Sequence, residues 1–231
     1  MEIQILHLIE GARAARGTAV VIDVFRAFTV EAYLAKNGAA HIIPVGDKAI
    51  AYAYKEAHPD AILVGERQGK ILPGFDYGNS PSQLEHADLT GKTVIHTTSA
   101  GTQGIANAIY ADEILTGSLV NAKAIAEYLK RNNRQQVSLV CMGLDAKRPI
   151  EEDTLCAEYI KSLLEGSPMD LTAGIENLKV TSGEKFFDPA QQEVFPERDF
   201  WLSTQVDQFD FVLRLKRNPD GLDEMEQVNV R

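Results

Sequence analysis

A chain of 231 residues, 45% hydrophobic and 24% charged, has the balance of one large globular domain or two small ones and is not a mainly disordered or collagen-like polymer. Lys and Arg number 23 against 33 Asp and Glu, a net charge of −10, and so acidic a surface argues against general binding to nucleic acid or anionic membranes. Two cysteines, Cys141 and Cys156, leave no disulfide framework; with no basic-then-apolar leader and no apolar run near about 18 residues, the expectation is a soluble cytoplasmic protein.

In chain order, residues 2–7 (EIQILH) alternate and suggest an edge strand. Strands are predicted at 18–24 (TAVVIDV), 41–45 (HIIPV), 61–65 (AILVG), 93–97 (TVIHT), 113–116 (EILT) and 137–142 (VSLVCM). These runs are apolar with little polar alternation, the pattern of strands covered on both faces. Helices are predicted between them at 28–37, 47–58, 101–111, 121–132 and 154–164. In the 121–132 stretch, Ala124, Ile125, Tyr128 and Leu129 fall at helical spacing, with Lys and Arg gathered at its end. Such alternation implies an α/β fold of three layers, α/β/α, around a largely parallel or mixed sheet. Residues 67–81 (RQGKILPGFDYGNSP) are too long and too rich in Gly and Pro for a plain connection, which suggests a functional loop. From 169 onward the pattern is less regular: a lobe over 169–216 with a last strand near 209–215, then a polar tail over 217–231, all within a single domain whose α/β core is 1–168.

In open α/β sheets ligands collect at the carboxyl ends of strands. Those ends deliver Asp23, followed by Arg26 and Thr29; Glu66 and Arg67; Thr97, Thr98 and Ser99, then Gly101 and Thr102; Gly143 and Asp145; and the helix-opening acids Glu151, Glu152 and Asp153. The long loop adds Asp76, Asn79 and Ser80. Singly, each has an ordinary reading as a turn former, a surface ion pair or a helix cap. Together they would surround one crevice. The inventory suits phosphate chemistry. A Ser/Thr/Gly turn entering a helix offers backbone N–H groups to an anion, and Arg26 and Arg67 could each grip an oxyanion in a fork. Asp23, Glu66 and Asp153 are hard oxygen donors suited to Mg²⁺ shared with phosphate oxygens.

Familiar signatures are missing. Arg148 lies one residue beyond a Cys-x5-Arg spacing from Cys141, Asp23-Val24-Phe25 lacks a second Asp, and no P-loop, dinucleotide or zincin motif occurs. The five histidines show no ligand spacing, and His96 and both cysteines read as core residues.

The segments VVIDVFRAFTV (20–30), GERQGKILPGFDYGNSP (65–81), HTTSAGTQ (96–103) and EEDTLCAEYI (151–160) resemble, in order and spacing, the blocks of the 2-phosphosulfolactate phosphatase family, with a fainter echo at 199–212. Phe28 and Ala100 stand where that family's pattern has a hydroxyl and an amide. The resemblance implies a magnesium-dependent phosphatase that hydrolyses (R)-2-phospho-3-sulfolactate, a small anionic phosphorylated substrate, on the way to coenzyme M. Under this reading Asp23, Arg26 and Asp153 are catalytic, and Asp23 and Asp153 with Glu66 hold Mg²⁺. Arg67, Asn79, Ser80, Thr97, Thr98, Gly101 and Thr102 bind substrate, the loop 67–81 closing over it. Two alternatives are a phosphatase of another small 2-phospho-hydroxyacid and a non-catalytic sensor of an anionic metabolite. The size class is one in which homodimers are common.

Overall fold

The computed structural model describes residues 1–218 and 221–230. In chain order the elements are β1 Glu2–His7, α1 Leu8–Ala14, β2 Thr18–Ile22, α2 Ala27–Lys36, β3 His41–Pro44, α3 Lys48–Ala57, β4 Ile62–Arg67, β5 Lys70–Ile71, α4 Pro81–Leu84, β6 Thr93–Thr97, α5 Gly101–Asn107, β7 Glu113–Gly117, α6 Ala122–Arg131, β8 Gln136–Cys141, α7 Glu151–Glu165, α8 Thr172–Leu178, α9 Glu197–Ser203, β9 Phe211–Lys216 and β10 Glu224–Asn229. Among the described residues all ten strands join one sheet in the order β1-β8-β2-β7-β9-β10-β3-β6-β4-β5.

Every residue of β2 is buried, as its unbroken apolar run requires. Successive side chains of a strand point to opposite faces, and those of β2 divide accordingly. Val21 joins a cluster with Val30, Leu34 and Ile105 of α2 and α5, whereas Val20 and Ile22 join one with Ile125, Leu129 and Ile160 of α6 and α7. Helices therefore cover both faces, and the domain is the expected α/β/α sandwich. Helix α2 has nine of its ten residues buried, Phe28 among them, so the hydroxyl-to-phenyl departure serves the core.

The sheet is mixed. β1, β8, β2 and β7 form one parallel block, and β3, β6 and β4 form another. Three antiparallel pairings in succession, β7 with β9, β9 with β10 and β10 with β3, separate them, so the blocks run in opposite senses. The expected polar tail of 217–231 is corrected here: its residues 224–229 are the sixth strand across, at the centre of the sheet. Only Met225 of that strand is buried, which is why an apolar-run reading passes over it. Positions 219, 220 and 231 of that expected tail lie outside the described residues. The expected parallel strand–helix repeat thus holds within each block and fails between them.

A flat sheet would send the strand ends of the two blocks to opposite edges. β-sheet twist, roughly 20–25° for each neighbouring pair, accumulates over the five pairings between β2 and β6 and turns one block against the other. Helix α5, which follows β6, then packs on the first block. A Cβ at its Gly104 would stand 2.5 Å from both Met142 Sδ and Val21 Cγ1. Only a hydrogen lets α5 approach this closely, and that approach carries the turn after β6 to the end of β2. Gly104→Ala is expected to destabilise the fold by roughly 1–3 kcal/mol in urea unfolding, despite alanine's better helix propensity of about 1 kcal/mol. A stabilised variant would contradict this account.

Candidate active site

Asp23, immediately after β2, is buried, and its backbone N–H donates to Gly117 O at 3.3 Å. Across from it, β4 ends on Glu66 and Arg67. The Glu66 carboxylate is buried, with Oε2 accepting the Gly69 N–H and Oε1 the Ser99 N–H, each at 2.7 Å. Asp153, in the first turn of α7, lies wholly buried, its Oδ1 accepting the Val24 N–H at 2.9 Å and its Oδ2 the Gly143 N–H at 2.8 Å. This carboxylate therefore ties the ends of β2 and β8 together from beneath. α7 starts at Glu151, three residues before the predicted start, because its acidic first turn is folded inward.

A crevice of about 320 Å³ opens between these ends, lined by Asp23, Arg26, Glu66, Asn79, Thr98, Ser99, Ala100, Asp145, Lys185 and Phe195 among others. Two stretches of its rim hold left-handed backbone at non-glycine residues, Gln68 (φ 55°) before Gly69, and Asp145 and Ala146 (φ 53° and 55°). Such conformations are strained for side-chain-bearing residues and persist where the surroundings over-determine them. The lobe roofs the crevice. A helical turn at Glu184–Phe186 and α9 bring Phe186 and Phe200 to within 5.0 and 5.5 Å of the Phe25 ring, fastening the lobe over the Asp23–Arg26 turn.

Charge is crowded here. Burial, and then the charges of Asp153, Glu66 and Glu152, hold the Asp23 carboxyl well above the usual carboxylate range, opposed by the Gly101 N–H. Burial and the Glu152 charge push Asp153 up to about 8 against the pull of the backbone N–H groups around it. Burial also raises Glu152, opposed by the neighbouring Ser182 hydroxyl and the Lys185 charge. The opposing cations are Arg26 and Lys185. Burial lowers the affinity of Lys185 for its proton, and the nearby Arg26 charge adds to that, while Glu152, Asp23 and Asp153 resist it.

The crevice thus collects Asp23, Arg26, Glu66, Asn79, Thr98, Ser99, Gly143 and Asp145 from the sequence-predicted set. The others take different places. Arg67 points away from the crevice, its guanidinium donating to Glu66 O at 2.6 Å, Gly46 O at 3.3 Å and Thr97 Oγ1 at 3.0 Å. Thr97 accepts that bond behind the wall. Ser80 Oγ donates to Asp199 Oδ1 at 2.7 Å and lines a neighbouring hollow instead. Thr29 Oγ1 bonds Val24 O at 2.9 Å in the interior. The 97–102 turn was expected to present free N–H groups to an anion. Three of those groups are already taken, Ser99 N–H by Glu66 and Thr98 and Thr102 N–H by each other's hydroxyl oxygens at 3.2 Å, and the Gly101 N–H faces the Asp23 carboxyl. The positive helix start serves the chain's own carboxylates. Asn79, by contrast, presents a buried Oδ1 without a partner among the described residues.

Lys185 and Phe195 have no counterpart in the sequence reading, and Asp199 enters it only as the first residue of the fainter echo. Arg26 Nη1 donates to Val194 O at 2.8 Å and to Asp199 Oδ2 at 3.4 Å, Nη2 donates to Gly69 O at 3.1 Å, and the guanidinium stacks 4.8 Å over the Phe195 ring. Asp199 is fully buried and also accepts the Ser82 N–H at 3.0 Å. The echo at 199–212 was the one sequence signal near it; nothing in the residues around Lys185 announced a role.

A metal must fit these donors. Among the described residues no group of three or more His, Cys, Asp or Glu stands together as an ion cage. Mg²⁺ ordinarily takes one or two carboxylates, its remaining positions going to water and substrate oxygens. Asp23 and Glu66, both lining the crevice, fit that smaller demand. Asp153 does not line it.

The family model for 2-phosphosulpholactate phosphatase matches residues 3–218. The chain belongs to this family. It is an enzyme of the phosphoric monoester hydrolase class. Similar proteins include the probable 2-phosphosulfolactate phosphatases of Bacillus subtilis (36% identical, over 86% of this chain and 87% of that one), Caldanaerobacter subterraneus (32%, over 85% and 87%) and Carboxydothermus hydrogenoformans (42%, over 71% and 68%). No helix among the described residues is long and apolar enough to cross a membrane.

Two outcomes follow from the site's electrostatics. Asp199→Ala leaves Arg26 buried without its carboxylate and should cost about 3–5 kcal/mol in urea unfolding. Because Asp153 and Asp23 bind their protons more tightly folded than unfolded, their stabilising contribution is complete below the usual carboxylate range and is lost as pH rises through about 8 for Asp153. In a chelator the thermal midpoint should therefore fall between about pH 5 and about pH 8, and Asp153→Asn should flatten that fall. A midpoint rising over this range would contradict the assignment.

Proposed function

We propose that the protein hydrolyses (R)-2-phospho-3-sulfolactate to 3-sulfolactate and phosphate in a magnesium-dependent reaction. The observation that carries this reading is the crevice itself, where a buried, under-bonded carboxylate at Asp23 faces two cations across a space sized for a small polyanion. Family membership supplies the substrate class, and the acidic protein surface makes a locally cationic wall necessary for an anionic substrate.

Asp23 would hold Mg²⁺, with Glu66 beside it. A bound magnesium ion would neutralise part of the charge on the phosphoryl oxygens, which is the main demand of phosphoryl transfer. Of the two carboxyls that would flank the metal, Asp23 is the one freer to accept a proton, since the oxygens of Glu66 are both committed to N–H donors. Arg26 retains two of its five N–H donors after its three bonds to the protein, enough to orient one oxygen of the substrate. The free Asn79 Oδ1 can accept from a hydroxyl or from water in the crevice. Phe195 and the 67–81 loop close the space and limit the water inside it. Coenzyme M formation is the route this product would serve.

A panel of phosphosulfolactate, phospholactate and phosphoglycolate, each with magnesium and with chelator, tests the proposal. The highest kcat/KM is expected for phosphosulfolactate, with activity abolished by chelator and restored by magnesium. Asp23→Asn should lower that value by roughly 10³-fold, about 4 kcal/mol of barrier, with an unchanged circular dichroism spectrum. Wild-type rates in that variant would sink the role given to Asp23, and a preference for another phosphate monoester would replace the substrate.

A further inference from the structure

The sequence points to Arg26 and Arg67 as the groups that grip the substrate's oxyanions, and the structure has both guanidinium groups bonded to the protein. Arg67 spends its donors on Glu66 O, Gly46 O and Thr97 Oγ1 outside the crevice. Arg26 lines the crevice but is clamped by Val194 O, Gly69 O and Asp199. Lys185 is different. It lines the same crevice, and among the described residues its ammonium makes no hydrogen bond and no ion pair. Its contacts are aromatic: the ammonium lies 5.2 Å from the Phe195 ring centroid and 5.4 Å from that of Phe186. Phe195 is the ring over which Arg26 also stacks, so one aromatic side chain carries two cations on the crevice wall. Two like charges brought to one ring and crowded by burial gain from an anion placed between them, and three uncommitted N–H donors on one of them are free to meet it.

We propose that Lys185 is a catalytic residue that binds the non-bridging phosphoryl oxygens of the substrate's phosphate monoester, held at the crevice wall by the ring of Phe195. This rests on the reading of the crevice as a phosphatase site and adds to it the cation that receives the transferred group. Arg26 then serves chiefly to fasten the loop after β4 and the 193–199 segment around the crevice. Lys185 also lines a larger hollow of about 760 Å³ that adjoins the crevice and holds the Glu152 carboxyl, whose charge favours the protonated Lys185, so its flexible stem can follow a phosphate as it arrives and leaves.

The test measures two quantities on the full chain with magnesium: kcat/KM for phosphate release from phosphosulfolactate, and calorimetric binding of inorganic phosphate. Lys185→Met is expected to lose about 100-fold or more in kcat/KM and at least about tenfold in phosphate affinity, with Lys185→Arg recovering part of both. Lys185→Gln serves should the Met variant fail to fold. A folded Met or Gln variant with wild-type values for both quantities overturns the proposal, as does a wild-type protein that binds no phosphate. If the wild type binds phosphate through Lys185 but releases none from the substrate, the substrate reading fails while the phosphate-binding role of Lys185 stands.

Discussion

Val24 and Gly143 each give a backbone N–H to one oxygen of Asp153, and this single carboxylate fixes the ends of β2 and β8 relative to α7. Glu66 repeats the device with Gly69 and Ser99, joining the end of β4 to its following loop and to the turn after β6. A carboxylate in a protein interior costs several kcal/mol of desolvation unless it is hydrogen-bonded on both oxygens. Both oxygens of each accept from the main chain, although burial and the Glu152 charge still hold the Asp153 proton up to about pH 8. The crevice is therefore framed by carboxylates whose position is dictated by backbone. Asp23, with the Gly101 N–H as its one backbone donor, is left with the unmet demand for positive charge.

The division of labour among charged groups follows. Asp153 and Glu66 hold strand ends; Asp199 and Arg26 hold the lobe to the core; Asp23 and Lys185 are left facing the open space. Buried ion pairs add little net stability, so an Arg26–Asp199 pair is better understood as fixing which surfaces meet. What it fixes is the placement of Phe195 over the crevice, with Val194 accepting from the same guanidinium.

Within each parallel block the fold was legible because strands buried on both faces must be apolar throughout: TAVVI in β2 and QVSLVC in β8 leave little choice. β10 was not legible. EMEQVN is polar at most positions and buries Met225 alone, so its place is set by hydrogen bonding to β9 and β3, which composition does not encode. The site divides the same way. Asp23, Glu66 and Thr98 could be named because acids and hydroxyls at strand ends are a local signal. The fates of Arg26 and Arg67 were hidden, since the carbonyls of Val194, Gly69 and Gly46 that occupy them carry no side-chain signature. Lys185 was hidden because a short helical turn held by an aromatic cluster, and no periodic element, delivers it.

The position of β9 and β10 has a consequence for how the molecule is made. They are the last of the ten strands to leave the ribosome, yet they occupy the middle of the sheet, between β7 and β3. Until they arrive, the nascent chain presents two open strand edges facing a gap. Such edges are templates for pairing with foreign chains, so the interval before the hairpin inserts is when a chaperone's shielding would count most.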